Sequence, residues 1–556
     1  MHKKAAELPF FLYINHMKYF LNHDWQGNMQ NPKKKVGEKS KINFLIVFAS
    51  IYIIFGLFDH SPWRPLETET FSIFADIFFN NNIIAPNLAS NQGFGHAHLY
   101  ELLGAIFSKI FFFLEPHNAA RLSNILWIFI TMLSIGLTNR ELRGFGYGRQ
   151  SNVIFLSSVG LFITIHSFNY EIAILTSSAL SLYAFSLSQR RPFRASILLG
   201  TALTIGIFTK GLFFYLSIFA ITASLALLPN WNTKRLFIFS SIGFLCSAII
   251  LSIWLFLLSS YAPESMDQYL NQSFNPLTQN FKYYLVNLLW FAWPAIPLFF
   301  WTLFKEIDTF FKFKRTNLPI IFIFWFLILL ASESSINQTK LMILLPAISI
   351  LASSSIDSLQ RGASGALNWF GILIFSSITL ILWIGWFAFH VGIPFKLHER
   401  MLYLSGNLIP ELNLINFLLA LTFLSLWIFS LLKNKLTNRS TVTNWALGIT
   451  LVWVTITLLW FPMIENRKNY GQIYQSIEKL NISKKDCLSS DYLNASHIDL
   501  IFYYTRLSIK TQTYSCAYTI GYTNLSRGSE LIKNNKNILW KGQMPNDRKS
   551  FYIIKN

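Results

Sequence analysis

Apolar runs close to 20 residues long recur along the chain, separated by short polar loops. Runs of that length predict helices that cross a membrane. The first covers about 42–58. Others lie at about 120–138, 152–166, 170–188, 195–209, 211–228, 236–258, 283–303, 316–332, 340–354, 367–389, 412–432 and 443–462, about thirteen spans in all. Their irregular spacing and sparse alternation argue against an outer-membrane barrel. Between the first two spans the pattern changes. Residues 58–100 read FDHSPWRPLETETFSIFADIFFNNNIIAPNLASNQGFGHAHLY. Phe71, Phe74 and Phe78 recur there at helical spacing, with Glu67, Asp76 and Asn80 off that stripe. Pro65 suits a first helical turn. Residues 65–81 are therefore predicted to form an amphipathic helix lying in the membrane interface. A second is predicted over 98–114, ending before Pro116.

The pattern changes again after 462. Helical stretches at about 467–481 and 496–505 precede an alternating run at 507–514 (LSIKTQTY) and short β-like runs at 538–540 and 551–554. The expected architecture is mainly α. A polar, basic segment (1–41) leads into a polytopic helical bundle (42–462) with a long loop at 59–119, and a small α/β domain (463–556) follows. Met29 offers a more typical start for such a protein, so 1–28 read as an extension before it.

Composition agrees: 53% of the 556 residues are hydrophobic and only 13% are charged, which excludes a soluble domain of this length. A net charge of +20 raises the question of nucleic acid. The Lys and Arg residues, however, collect in alternate short loops: Arg140 to Arg149, 189–194 (QRRPFR), Lys234 with Arg235, 305–315, Arg361 and 433–439. That is the pattern of cytoplasmic loops, so membrane lipids are expected as neighbours and nucleic acid is not. The rule places the N-terminus in the cytoplasm. An odd number of spans then places 59–119 and 463–556 outside. No cleavable signal is evident, because a long basic segment precedes the first run and no small-residue site follows it. Cys246 falls inside an apolar run and reads as packing. Cys487 and Cys516 fall in the outer domain, an oxidising compartment, where a disulfide is expected over two free thiols.

Charged side chains beside a membrane span are where chemistry is sought first. The outer loops and span ends supply Asp59, Glu67, Glu69, Asp76, Glu101 and Glu171; Arg64, Arg121, Lys210 and Lys340; and His60, His96, His98 and His166. Lys210 stands in GIFTKGLFFYL between two apolar runs, and Lys340 opens TKLMILLP. Two ammonium groups at the outer ends of spans can hold a phosphate or diphosphate. Snorkelling to the interface explains most lone span-end lysines, and on these residues alone it is the favoured reading. Asp59 and Glu67 each read as a general base, a metal ligand or a solvated cap. His96 and His98 can share a divalent metal with a carboxylate, but two histidines without fixed ligand spacing make that the lesser reading, and no cofactor is assigned.

In this order the segments resemble the integral-membrane, lipid-phosphate-dependent glycosyltransferases of the C-type (GT-C) superfamily, in particular the aminoarabinose transferase and protein mannosyltransferase-like group. Pro62-Trp63-Arg64-Pro65-Leu66-Glu67 stands where that group has Pro-Trp-Lys-x-Asp-Glu, and His96-Ala97-His98-Leu99-Tyr100 stands where it has Lys/His-Pro-Pro-Leu-Tyr. Residues 81–88 (NNIIAPNL), 206–211 (GIFTKG), 283–297 (YYLVNLLWFAWPAIP) and 340–346 (KLMILLP) match further motifs, so the resemblance covers roughly 42–360 and, less specifically, the tail. Leu66, Gly95, Ala97 and Ile343 are departures.

The resemblance implies a GT-C bundle in the bacterial inner membrane. It would move a sugar from a polyprenyl-phosphate donor to a lipid, glycan or protein acceptor at the periplasmic face. It assigns Asp59 or Glu67 as the catalytic acid. Arg64, His96, His98, Lys210 and Lys340 would bind substrate, with His96 in place of a lysine. Two other readings stay open. Leu66 motivates a degenerate relative that binds a polyprenyl lipid or a partner enzyme. A lipid or solute transporter ranks last, because no internal repeat is visible.

Overall fold

A computed structural model describes residues 38–90, 98–144, 146–266, 269, 281–333, 336–409, 411–433, 437–480, 482, 488–491, 493–511, 516–524 and 538–555. Among these residues, eight helices are long and apolar enough to cross a membrane, and nine if the bent pair Phe281–Phe291 and Ala295–Thr309 counts as one span. Three shorter apolar helices accompany them: Ser40–Ile54, Leu212–Ala226 and Gln338–Ser354. Helices Thr233–Tyr261 and Leu414–Lys433 bury little of themselves against the protein. Phe237, Phe256 and Leu432 are 72%, 71% and 83% exposed. Side chains of this kind, in patches this wide, need lipid rather than water around them.

Helix Glu171–Ser188 runs through the middle and is buried almost end to end. Small hydroxyl side chains let its neighbours approach closely, as membrane helices do. Ser177 Oγ donates to Ala202 O at 2.6 Å, Ser178 Oγ donates to Ile343 O at 2.8 Å, and Thr176 shares a 2.9 Å bond with Thr131. Its partner Pro192–Lys210 runs back antiparallel, so Glu171 and Lys210 arrive at the same end of the bundle. Gly211, at φ 75°, ends that partner helix directly after Lys210, a conformation that glycine adopts without penalty.

The span predicted at 152–166 is not continuous. Helix Tyr147–Leu156 stops, and only one further turn, Leu161–Thr164, follows. The gap faces the 105° bend between Phe281–Phe291 and Ala295–Thr309. Across it Val159 N donates to Trp293 O at 2.9 Å and Gly160 N donates to Phe291 O at 2.7 Å. Two broken helices thus satisfy each other's backbone, the condition for irregular chain at membrane depth. Tyr147–Leu156, Ala295–Glu306 and Leu345–Ser354 pack together and have 10, 12 and 10 residues. Each is about 15–18 Å long, roughly half of the ~30 Å hydrocarbon layer. A cavity lies beside the break, with Val159, Gly160 and Phe291 among its lining residues.

The first loop helix, Thr68–Asn80, does not lie free in an interface. Helix Ala495–Thr505 of the C-terminal domain covers one side and Leu99–Ile110 another, so Phe71, Ile73, Phe74 and Ile77 are all buried. The C-terminal domain is a five-stranded sheet with the order β2-β1-β3-β5-β4: β1 Leu488–Asp491, β2 Ile509–Thr511, β3 Tyr518–Asn524, β4 Ile538–Gln543 and β5 Lys549–Lys555. β1 is parallel to β2 and β3, and β5 is antiparallel to β3 and β4. The β1-to-β2 crossover is helix Ala495–Thr505, as parallel neighbours require. Tyr474, Ile498, Ile501, Ile520 and Ile553 form its core. Cys516 is in a disulfide and Cys246 is free, while Cys487 lies outside the described residues.

A Cβ on Gly160 would sit 2.3 Å from the Phe291 ring. Gly160→Val is expected to destabilise the protein by about 1–3 kcal/mol. A thermal melt in detergent reads this directly, and an unchanged midpoint would contradict the close approach of the two broken helices.

Candidate active site

The long loop is built around one buried ion pair. Arg121 and Glu67 are 0% and 1% exposed. Arg121 Nε donates to Glu67 Oε1 at 2.9 Å and Nη2 donates to Oε2 at 2.8 Å. The Phe168 amide adds a 2.6 Å bond to Oε1, and the Trp63 amide adds a 2.8 Å bond to Oε2. The remaining Arg121 donors reach His60 O at 2.7 Å, Ser61 O at 3.1 Å and Asn118 Oδ1 at 3.4 Å. The carboxylate has four partners and the guanidinium has used its fork fully. His60, beside it, is held well below its ordinary pKa, by burial first and then by the Arg121 charge, so it stays neutral.

Two further carboxylates fix the same loop. Glu465 accepts from Ser61 N at 2.8 Å and from Trp63 Nε1 at 2.7 Å. Asp76 accepts from Asn80 and Asn82 side chains and from the Asn87 amide at 2.6, 3.0 and 2.8 Å. The second loop helix, Leu99–Ile110, is tied down by Tyr100, whose hydroxyl donates to Asn124 Oδ1 at 2.5 Å and accepts from Asn169 N at 3.1 Å. The Phe168 ring sits 4.8 Å from both the Phe71 and Tyr100 rings.

At the loop end of the bundle a chain of charges runs Glu171–Lys210–Glu333–Lys340. Lys210 Nζ lies 3.2 Å from Glu171 Oε1 and 2.8 Å from Glu333 Oε1, and Lys340 pairs with Glu333 Oε2. Lys210, Lys340 and Glu171 side chains are 7%, 5% and 3% exposed, too buried for snorkelling to account for them. Burial by itself would raise the Glu333 carboxyl, but Lys210 and Lys340 outweigh it and hold it below its ordinary value. Tyr170 feels Glu69, Glu171, Glu333 and Glu101; burial first, then these charges, push its phenol well above the usual range. A cavity of about 450 Å³ adjoins, with Leu66, Phe162, Ile163, Tyr283, Trp290 and Thr339 among its lining residues. Of its lining residues, Thr339 is the one that precedes Lys340 in the chain.

The structure thus brings together Lys210 and Lys340 from the residues expected to bind substrate. It places the others elsewhere. Arg64 donates through Nε and Nη2 to Ser496 Oγ at 3.0 and 2.8 Å and lies over the Tyr470 ring, so it clasps the C-terminal domain. His98 is buried at the start of Leu99–Ile110, and His96 lies outside the described residues. Asp59 is exposed, at φ 63°. His166 bridges the Tyr52 and Phe162 carbonyls at 2.7 and 3.0 Å, a structural role. Glu333 and Glu465 were not on the sequence list. Glu333 carries one visible signal: a lone carboxylate in the short outer loop, seven residues before Lys340. No group of three or more His, Cys, Asp or Glu side chains with metal-ligand geometry occurs among the described residues, and Glu171 and Glu333 already have lysine partners.

The apolar helical bundle, the loop with two packed helices and the C-terminal α/β domain together make a GT-C-like fold, as the likeness to solved structures shows. Among solved structures, the chain is similar to the aminoarabinose transferase ArnT from Cupriavidus metallidurans in the apo state, with a TM-score of 0.68 and 14% identity over 92% of this chain and 98% of ArnT. Against the same protein bound to undecaprenyl phosphate the TM-score is 0.69, at 13% identity over 93% and 98%. The archaeal oligosaccharyltransferase AglB from Archaeoglobus fulgidus, in complex with an inhibitory peptide and a dolichol-phosphate, gives 0.51 at 10% identity over 86% and 69%. No protein-family model and no curated protein matches the sequence.

Two outcomes follow from these contacts. Glu67→Gln strips the charge from a buried pair and is expected to cost about 3–5 kcal/mol, read as a lower melting midpoint; Glu67→Gln with a wild-type midpoint would contradict the anchoring role. The second concerns Asp499, which accepts from Ser90 N at 3.0 Å where the C-terminal domain meets the loop. Burial, aided by Glu69, pushes its carboxyl from 3.8 to about 7, against the bonds from Ser90 and Ser72. A raised folded-state value means that docking is most stable below pH 3.8 and weakens as pH rises to about 7. Hydrogen-exchange protection factors at 495–505, with the intrinsic pH dependence of exchange divided out, are expected to fall over that window in the wild type, whereas in Asp499→Asn they are expected to stay level.

Proposed function

We propose that the protein is a glycosyltransferase of the bacterial inner membrane. It takes a sugar from a polyprenyl-phosphate donor and passes it to a lipid, glycan or protein acceptor at the periplasmic face. The observation that carries this reading is the convergence of Lys210 and Lys340 on a single carboxylate at the loop end of a GT-C fold. Two ammonium groups one carboxylate's bite apart match the oxygens of a phosphate equally well. The adjoining cavity, walled by Leu66, Phe162 and Trp290, suits the first isoprene units of the lipid. The lipid phosphates bound to the solved ArnT and AglB support this ligand class.

In the reaction, an acceptor hydroxyl gives its proton to a carboxylate as its oxygen bonds to the anomeric carbon. The bond from that carbon to the phosphate oxygen breaks, and polyprenyl phosphate leaves with the electron pair. Direct displacement inverts the anomeric centre. Lys210 and Lys340 stabilise the charge that develops on the leaving phosphate. The base is Asp59, whose carboxylate is exposed. Glu67 has no lone pair to spare and serves by holding the wall. The loop helices and the C-terminal domain roof the site and keep water from the activated sugar. One observation favours a second reading: Leu66 presents a hydrocarbon to the cavity where the resembling group carries an acid, as a protein that binds the lipid without turnover would.

The test is sugar transfer and undecaprenyl-phosphate binding with purified protein. Asp59→Asn is expected to bind the lipid as the wild type does and to lose about 10²–10⁴-fold in transfer. Lys340→Gln is expected to weaken lipid binding at least tenfold. Lipid binding without transfer by the wild type, across lipid-linked sugars, would establish the second reading. Binding unchanged by Lys340→Gln would remove the lysines from the phosphate site.

A further inference from the structure

We infer that Glu333 is a built-in counter-anion of the lipid-phosphate site, one that a donor must displace and that a free phosphate cannot. The inference rests on the donor reading of Lys210 and Lys340. The side chains Glu171, Lys210, Glu333 and Lys340 form one continuous chain of ion pairs, so each lysine already faces a carboxylate. Glu333 spans both lysines with its two oxygens, the geometry that a phosphate would take. Adding a phosphate while both carboxylates stay would set like charges side by side. One carboxylate has to leave.

Glu171 is the poorer candidate. It opens the helix that is buried almost end to end, and Asn169 Oδ1 holds its amide at 2.9 Å. Glu333 lies past the end of helix Lys314–Ala331, in the turn that leads to the 3₁₀ segment Gln338–Leu344. It is also the more exposed of the two, at 14% against 3%. Moving Glu333 off the lysines leaves helix Lys314–Ala331 in place, because Glu333 lies beyond its last residue.

The consequence is selectivity for lipid-linked phosphate. Inorganic phosphate brings only charge, and it competes with a carboxylate that is already in place at very high effective concentration. A polyprenyl phosphate brings the same charge plus apolar surface for the cavity beside Thr339, and that burial drives the exchange. Glu333 therefore keeps both lysines charged and neutralised while the site is empty, and it excludes small anions.

The experiment is calorimetric titration of the full chain in detergent with undecaprenyl phosphate and, separately, inorganic phosphate. The wild type is expected to bind the lipid and to show no uptake of millimolar inorganic phosphate. Glu333→Gln is expected to bind the lipid at least tenfold tighter and to bind inorganic phosphate measurably. Equal or weaker lipid binding by Glu333→Gln, with an unchanged melt, overturns the inference and leaves the donor site standing. A wild type that ignores the lipid while Glu333→Gln takes up inorganic phosphate removes the lipid donor instead. A second measurement needs no variant: carbodiimide labelling of Glu333 in the wild type, read by mass spectrometry, is expected to rise when the lipid is added. Labelling that stays flat at saturating lipid also overturns the inference.

Discussion

The outer half of the molecule depends on the Glu67–Arg121 pair. Three stretches of chain with no sequence proximity meet there: the loop at 60–67, the helix that carries Arg121, and the turn at Phe168. A buried ion pair holds only when every remaining donor and acceptor is satisfied, since desolvation otherwise outweighs the attraction. Here the backbone of the loop supplies the missing partners. The loop is therefore folded around the pair and the pair is kept dry by the loop. Everything nearer the charged site inherits its position from this arrangement, including the Tyr100–Asn124–Asn169 contacts and the start of the central helix at Glu171.

Below that wall, placement of charge follows from helix direction. Glu171 begins one helix and Lys210 ends its antiparallel neighbour, so the two reach the site together. Glu333 ends a third element and Lys340 begins a fourth. Four side chains at four helix ends thus build one polar site at the head of an apolar bundle. Elsewhere the described charges pair at the other end, as Arg143 does with Glu306 and Arg439 with Asp357. The middle of the bundle is left to Ser, Thr and hydrocarbon.

Much of this was legible in the sequence, because an apolar run of span length has few alternatives. The helical bundle, both loop helices, the Lys210 and Lys340 positions and a small α/β domain all follow from pattern. What was not legible depends on remote partners. The break in 152–166 is stabilised by backbone at 291–293, and nothing within the run announces it. The pairing of Glu67 was hidden because its guanidinium partner is 54 residues away. The loop helix 68–80 looked interfacial because the covering helix comes more than 400 residues later. β1, LSSD, is too short to be seen, whereas β3, YTIGYTN, alternates as a strand does and was overlooked. Glu333 hid in a short loop whose length, rather than composition, decides where its side chain goes.

The paired breaks also bear on how the chain is made. Val159 and Gly160 find their acceptors on Trp293 and Phe291, about 130 residues later. At 5–20 residues per second, synthesis of that interval takes on the order of 10 s. For that time the amides of Val159 and Gly160 lack these acceptors, and inside a bilayer none can be left bare. This segment therefore has to wait beside the insertion machinery, or in a water-filled pocket of it, until the later bend is released. Assembly of this stretch is completed between spans and not one span at a time.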